Sequence, residues 1–88
     1  MIPEDLRPLF WDVNTDLFQP ASHPRYTIAR ILEYGDRRAL AWLRELFTAS
    51  EIGEVLQTDA RLSRRSANFW ALVYGIPREE VAALRKAG

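Results

Sequence analysis

The sequence predicts an all-α protein: a compact bundle of about five short helices around a central apolar helix near 63–74, with an irregular N-terminal arm. Three observations carry that expectation. Apolar residues recur at three-and-four spacing in successive segments, capping residues and glycines punctuate those segments, and no stretch shows a strand pattern. The 88-residue chain supports one modest core, so it is read as a single helical domain with an arm over 1–21 and a helical core over 22–88.

The arm mixes Pro3 and Pro8 with Leu6, Leu9 and Phe10, which leaves room for at most a short turn of helix between the prolines. Leu9, Phe10 and Trp11 place three large apolar residues together, to be laid over the core or offered to a partner as an aromatic anchor. Asp12 and Asn14 can bond back to nearby backbone N–H groups, which predicts a turn or a capped single-turn helix through Leu17 and Phe18 that Pro20 ends.

Ser22, His23 and Pro24 read as a helix start, with proline where its missing N–H costs least. The first helix is expected over 24–34, with Ile28, Ile31 and Leu32 inward and Arg25, Thr27, Arg30 and Glu33 at the other positions. Gly35 can terminate it and Asp36 can cap a second helix over 37–47. There Leu40, Leu43 and Phe47 form the inner stripe, widened by Ala39 and Leu46, while Arg37, Arg38, Arg44 and Glu45 face away. Thr48 and Glu51 match a capping box, so a third helix starts near Ala49 and buries Ile52, Val55 and Leu56. Gly53 inside it weakens the helix by about 1 kcal/mol relative to alanine and marks a close contact.

After a connection over 58–61, Ser63 caps the fourth helix and Gly75, just before Pro77, closes it. Between Ala67 and Tyr74 only Asn68 is polar, so the helix is expected at the centre of the core. A final helix over 77–86 has Glu79 and Glu80 in its first turn, Arg85 and Lys86 in its last, and Val81 and Leu84 inward.

Composition removes several function classes. Twelve basic residues balance twelve acidic ones, so no overall field draws the chain to nucleic acid or an anionic membrane. The absence of cysteine excludes disulfides, zinc-cysteine sites and thiol catalysis. No apolar run approaches the ~20 residues of a membrane span, and Met1 to Asp5 lacks the basic start of a signal peptide, which points to the cytoplasm. His23 is the only histidine and reads as a capping or surface residue, insufficient for a metal site. Asp12 with Asp16, and Glu51 with Glu54, have spacings that solvated turns and helix faces produce routinely. With no glycine-rich phosphate loop either, the chain reads as a non-enzyme with no catalytic, cofactor or metal residues.

Arg61, Arg64 and Arg65 gather three guanidinium groups at the entry of the fourth helix. A third helix, a short connection and a fourth helix opening on Arg64, Arg65 and Asn68 resemble a helix-turn-helix, whose recognition helix reads guanine with Arg and adenine with Asn. Against that reading stand the missing turn glycine, the apolar run past Asn68 and the balanced charge; the alternative is a solvated cationic rim.

Leu9-Phe10-Trp11-Asp12, Ile31-Leu32-Glu33-Tyr34-Gly35-Asp36 with Trp42, Arg61-Leu62-Ser63 and Ala67-Asn68-Phe69-Trp70 together resemble a family of small bacterial proteins catalogued as a domain of unknown function. The resemblance runs from 9 to 77. It implies an antitoxin role, because members are often encoded beside nucleotidyltransferase toxins of the abortive-infection type. The leading expectation is therefore a cytoplasmic helical module that binds and restrains such a partner protein through Trp11, Asp12 and the arginine cluster. Three tryptophans, three tyrosines and four phenylalanines supply material for such a contact. The alternative is a helix-turn-helix-like transcriptional regulator binding DNA through Arg61, Arg64, Arg65 and Asn68, and homo-oligomeric assembly stays open.

Overall fold

Ile2, Leu6 and Phe10 point the start of the chain into the core, where none is more than 4% exposed. The structure, a computed structural model, describes residues 2–85. Ile2 lies just ahead of, and Leu6 and Phe10 within, a 3-10 segment, Glu4–Phe10, longer than the single turn expected between the prolines. The segment contains Pro8, and Leu6 and Phe10 are its two buried residues. The arm is thus part of the core. At Asn14 the chain turns as expected: its side chain accepts from the Asp16 N–H at 3.0 Å and its carbonyl from Phe18 at 2.9 Å.

Five α-helices follow: α1 (Pro24–Tyr34), α2 (Arg37–Leu46), α3 (Ala49–Thr58), α4 (Arg64–Tyr74) and α5 (Ala82–Arg85). Short 3-10 turns at Pro20–Ser22 and Arg78–Glu80 precede α1 and α5. The described residues contain no strand, and no helix among them is long and apolar enough to cross a membrane.

The capping chemistry accounts for the boundaries. Asp36 accepts from the Ala39 N–H at 3.0 Å. Thr48 and Glu51 exchange bonds of 3.1 and 2.8 Å as a complete capping box. Ser63 accepts from Ser66 at 3.1 Å. His23 makes no side-chain cap bond; its ring lies on Phe18 at 5.2 Å. Gly75 closes α4 at φ 65°, the left-handed conformation, and lets the Ile76 N–H reach the Ala71 carbonyl at 2.9 Å. Gly35 ends α1 for another reason. Its φ is an ordinary −84°, but a Cβ there would lie 2.7 Å from the Ile31 carbonyl oxygen and 2.9 Å from the Ala39 Cβ.

Several placements differ from expectation. Thr27, set among the outward positions of the first helix, is fully buried and donates its hydroxyl to the Pro20 carbonyl at 3.1 Å. In α2 the inner stripe includes Trp42, while Leu46 is exposed and Leu40 half-buried. The expected final helix is broken, because Val81 takes an extended conformation (φ −106°, ψ 114°) between the 3-10 turn and α5. Val81 itself is inward as expected, joined by Ala82 and Ala83. The expected end of this helix at Lys86 lies outside the described residues.

The central position in the bundle falls to α1, which touches α2, α3, α4 and both N-terminal 3-10 segments. The helix expected there, α4, forms at the predicted place but lies at the side. Only Ala67, Trp70 and Ala71 form its buried stripe, while Phe69, Leu72 and Val73 are 55%, 76% and 52% exposed. Apolar residues all round a helix do not oblige its neighbours to surround it; the stripe that packs is the one carrying Trp70, whose indole N–H donates to the Leu32 carbonyl at 2.6 Å.

Candidate partner-binding surface

On the outward side of α1, Tyr26, Arg30 and Tyr34 recur every fourth residue and form one stripe. The arm crosses that stripe at Leu9 to Asp12. Arg30 joins the two elements: it donates to Asp12 Oδ2 at 2.6 Å and to the Leu9 carbonyl at 3.4 Å. Its guanidinium carbon lies 4.4 Å from the centre of the Trp11 ring, 4.9 Å from Tyr26 and 5.7 Å from Tyr34. A planar, weakly hydrated cation stacked on aromatic faces suits arginine better than lysine. Arg30, off the inward stripe expected for the first helix, nevertheless has a side chain only 12% exposed, because the arm folds over it.

Asp12 completes the cluster. Its Oδ1 accepts the Tyr26 hydroxyl at 2.5 Å. That bond, then Arg30, holds the Asp12 carboxyl below the usual carboxylate range, while burial and the bond to Asp12 push the Tyr26 phenol up to about 12. Trp11 packs edge-on against Tyr34 with ring centroids 5.0 Å apart. Both remain in solvent, at 63% and 54% exposure, whereas Trp42 and Trp70 are 5% exposed. Trp11 is therefore an exposed indole whose orientation is already fixed by Tyr34 and Arg30.

A cleft of about 260 Å³ beside this cluster runs between Tyr26, Arg30 and Glu33 of α1 and the α3–α4 connection at Asp59, Arg61 and Leu62. Asp59, 3% exposed, binds back on its own loop: Oδ1 accepts from the Arg61 backbone at 2.9 Å and Nε at 3.2 Å, and Oδ2 from Arg61 Nη2 at 3.2 Å. Burial raises the Asp59 pKa, but the Arg61 bonds outweigh it and leave the group below its ordinary value.

The four arginine-cluster positions separate in the structure. Arg61 is committed to Asp59, Asn68 Oδ1 accepts from Arg78 Nη1 at 3.1 Å, and Arg64 and Arg65 are exposed in the first turn of α4. Trp11 and Asp12 are brought together, joined to Arg30, Tyr26 and Tyr34, which the sequence reading did not single out. The i, i+4, i+8 spacing of those three was visible; their meeting with an arm more than a dozen residues earlier was not. Among the described residues no three His, Asp or Glu side chains converge as a metal-binding group.

The chain matches the model of a family of unknown function (DUF6922) over residues 6–56. No curated protein and no solved structure matches it. The matched segment contains every residue of the Trp11–Asp12–Tyr26–Arg30–Tyr34 cluster and stops before Arg61, Arg64, Arg65 and Asn68. Covering more than half of the 88 residues, that match places the chain in the DUF6922 family.

Proposed function

We propose that the protein is a non-catalytic interaction module that docks on a partner protein through Trp11 and Tyr34. The observation that supports this most is the exposure of Trp11 at 63% together with its fixed setting against Tyr34 and Arg30. Binding then orders little that is not already ordered, and large aromatic anchors are the usual carriers of interface energy. The partner we propose, from the resemblance to proteins encoded beside such toxins, is an abortive-infection-type nucleotidyltransferase, which the chain would restrain in the cytoplasm as an antitoxin. A DNA-binding role keeps support only from exposed Arg64 and Arg65 at the start of α4.

Capture of partners from the source lysate by the tagged chain, with and without nuclease, tests both readings. A stoichiometric nucleotidyltransferase that survives nuclease is the expected result, and Trp11→Ala should weaken that complex by about 1 kcal/mol or more, a fivefold or larger loss. Nuclease-sensitive recovery with a steep salt dependence would move the function to DNA. An affinity unchanged by both Trp11→Ala and Tyr34→Ala would remove this surface from the contact.

A further inference from the structure

A second apolar surface lies on α4, separate from Trp11. Phe69, Leu72 and Val73 stand at i, i+3 and i+4, 55%, 76% and 52% exposed, so they share one side of the helix. Hollows flank Phe69. One of about 400 Å³ reaches Gly35, Leu40 and Val73; the other, about 560 Å³, reaches Leu32, Ser66 and Leu72. A ridge of three apolar side chains between two hollows is the relief against which an amphipathic helix packs.

Charge decides what kind of helix. Arg37 lines the first hollow and Arg65 the second, both exposed, and Arg44 is close enough to act electrostatically on the Tyr74 hydroxyl at the far end of α4. Among the described residues none of these three arginines has a carboxylate within ion-pair distance. The two carboxylates in the same walls are turned to helix starts: Asp36 takes the Ala39 N–H at 3.0 Å, and Glu33 takes the Ser63 N–H at 2.8 Å and the Ser66 hydroxyl at 3.2 Å. The charged groups around the apolar ridge that are left without a hydrogen-bonded or ion-paired partner among the described residues are therefore guanidinium, which pairs with carboxylates in a bidentate fork. A second copy of the chain would set this cationic rim against its own image, and nucleic acid would have to place Phe69, Leu72 and Val73 at the centre of a polar contact.

The geometry points to an acidic amphipathic helix of a partner protein as the occupant of this face. Its apolar side chains pack beside Phe69, Leu72 and Val73, and its Asp and Glu residues on either flank meet Arg37 and Arg65. The inference rests on the reading of the chain as an interaction module, but not on Trp11.

A displayed library of random peptides of about 20 residues, long enough for several helical turns, is selected on the intact chain, and one enriched peptide is titrated by fluorescence anisotropy. The expected result is a net-negative sequence with apolar residues at i, i+3 or i+4 and i+7. Its affinity should fall at least about tenfold with Leu72→Glu and with the pair Arg37→Glu and Arg65→Glu, and should not change with Trp11→Ala. Leu72 is exposed, so its variant should melt like the parent; if it does not fold, the arginine pair reads the same face. Four results overturn the proposal: no enrichment, enrichment of cationic or aperiodic peptides, full displacement of the peptide by duplex DNA, or a dimer that Leu72→Glu converts to monomer in sedimentation. Loss of binding in Trp11→Ala alone would also overturn it, by placing the peptide on the other surface. Failure of these arms with the Trp11-dependent complex intact would leave the function standing and remove only this face.

Discussion

Helices α1 and α4 are each eleven residues long and each end at a glycine, yet they occupy opposite kinds of position. The more apolar of the two in its second half, α4, shows Phe69, Leu72 and Val73 to solvent. The other carries Arg25, Arg30 and Glu33 and sits at the centre, with Thr27, Ile28, Ile31 and Leu32 all buried. Position in this bundle follows the partners available to each face. Those polar residues of α1 that are covered each find a specific bond: Thr27 on Pro20, Arg30 on Asp12 and Leu9, Glu33 on Ser63 and Ser66. A buried polar group is tolerated when it is hydrogen-bonded, and an exposed apolar one needs no partner for the chain to fold.

The largest expected effect breaks the comparison at its apolar faces. Ile31→Ala removes a fully buried side chain from α1 and should lower unfolding stability by about 2–5 kcal/mol through lost transfer energy and the cavity left behind. Leu72→Ala on α4 should change it by no more than about 0.5 kcal/mol. Urea unfolding of the two variants reads both numbers, and equal losses would mean that α4's outer face is covered in solution.

The two terminal glycines sharpen the contrast at a smaller scale. Gly35→Ala puts a methyl 2.7 Å from the Ile31 carbonyl oxygen, a backbone atom that cannot move aside cheaply, and should cost about 1–3 kcal/mol. Gly75→Ala meets nothing within 4 Å and suffers only from its φ of 65°, about 1 kcal/mol. Asparagine separates the causes, because it tolerates the left-handed conformation but not crowding. Gly75→Asn should be close to the parent in thermal unfolding, and Gly35→Asn should be at least as destabilised as Gly35→Ala.

The same comparison explains how much the sequence disclosed. Helix boundaries were legible because they are local: Ser63, Thr48 with Glu51, and Asp36 each satisfy an N–H three residues on. The 64–74 helix was therefore legible from its cap and glycine almost to the residue, and the 24–34 helix from Pro24 at its first position and Gly35 at its end. Which helix lies inside depends on contacts across many residues, such as Trp70 on Leu32 or Arg30 on the arm, and no local spacing encodes those. The candidate surface was half legible for the same reason. Trp11 stood out as an aromatic anchor and Asp12 as its neighbour in the Leu9–Asp12 motif, but Tyr26, Arg30 and Tyr34 gained their meaning only when the arm was laid across α1. Arg61 and Asn68 looked like free readers of a ligand, while a neighbour two residues away and another ten residues away hold them.

The smallest effect tests how the arm is fastened to α1, the contact that makes α1 central. Tyr26 donates to Asp12, and its phenol is raised to about 12 from an ordinary 10.0 by burial and by that bond. The neutral phenol is thus favoured in the folded state. Its contribution is fully present below pH 10.0 and is lost as pH rises toward about 12, because in that window the folded chain holds a proton the unfolded chain has released. Tyr74, raised by burial alone, contributes in the same direction but has no carboxylate partner. Tyr26→Phe should therefore flatten, without abolishing, the fall in urea stability above pH 10. At the acid end Asp12 is depressed, chiefly by the same hydroxyl, so its contribution is present above the ordinary 3.8 and lost as pH falls below it. The variant should shallow that acid limb too, with Arg30 retaining part of it. A variant whose limbs both run parallel to the parent's would show that the Asp12–Tyr26 bond contributes nothing to the arm's fastening, which is then left to the Arg30 bonds and the packing of Phe10 and Trp11.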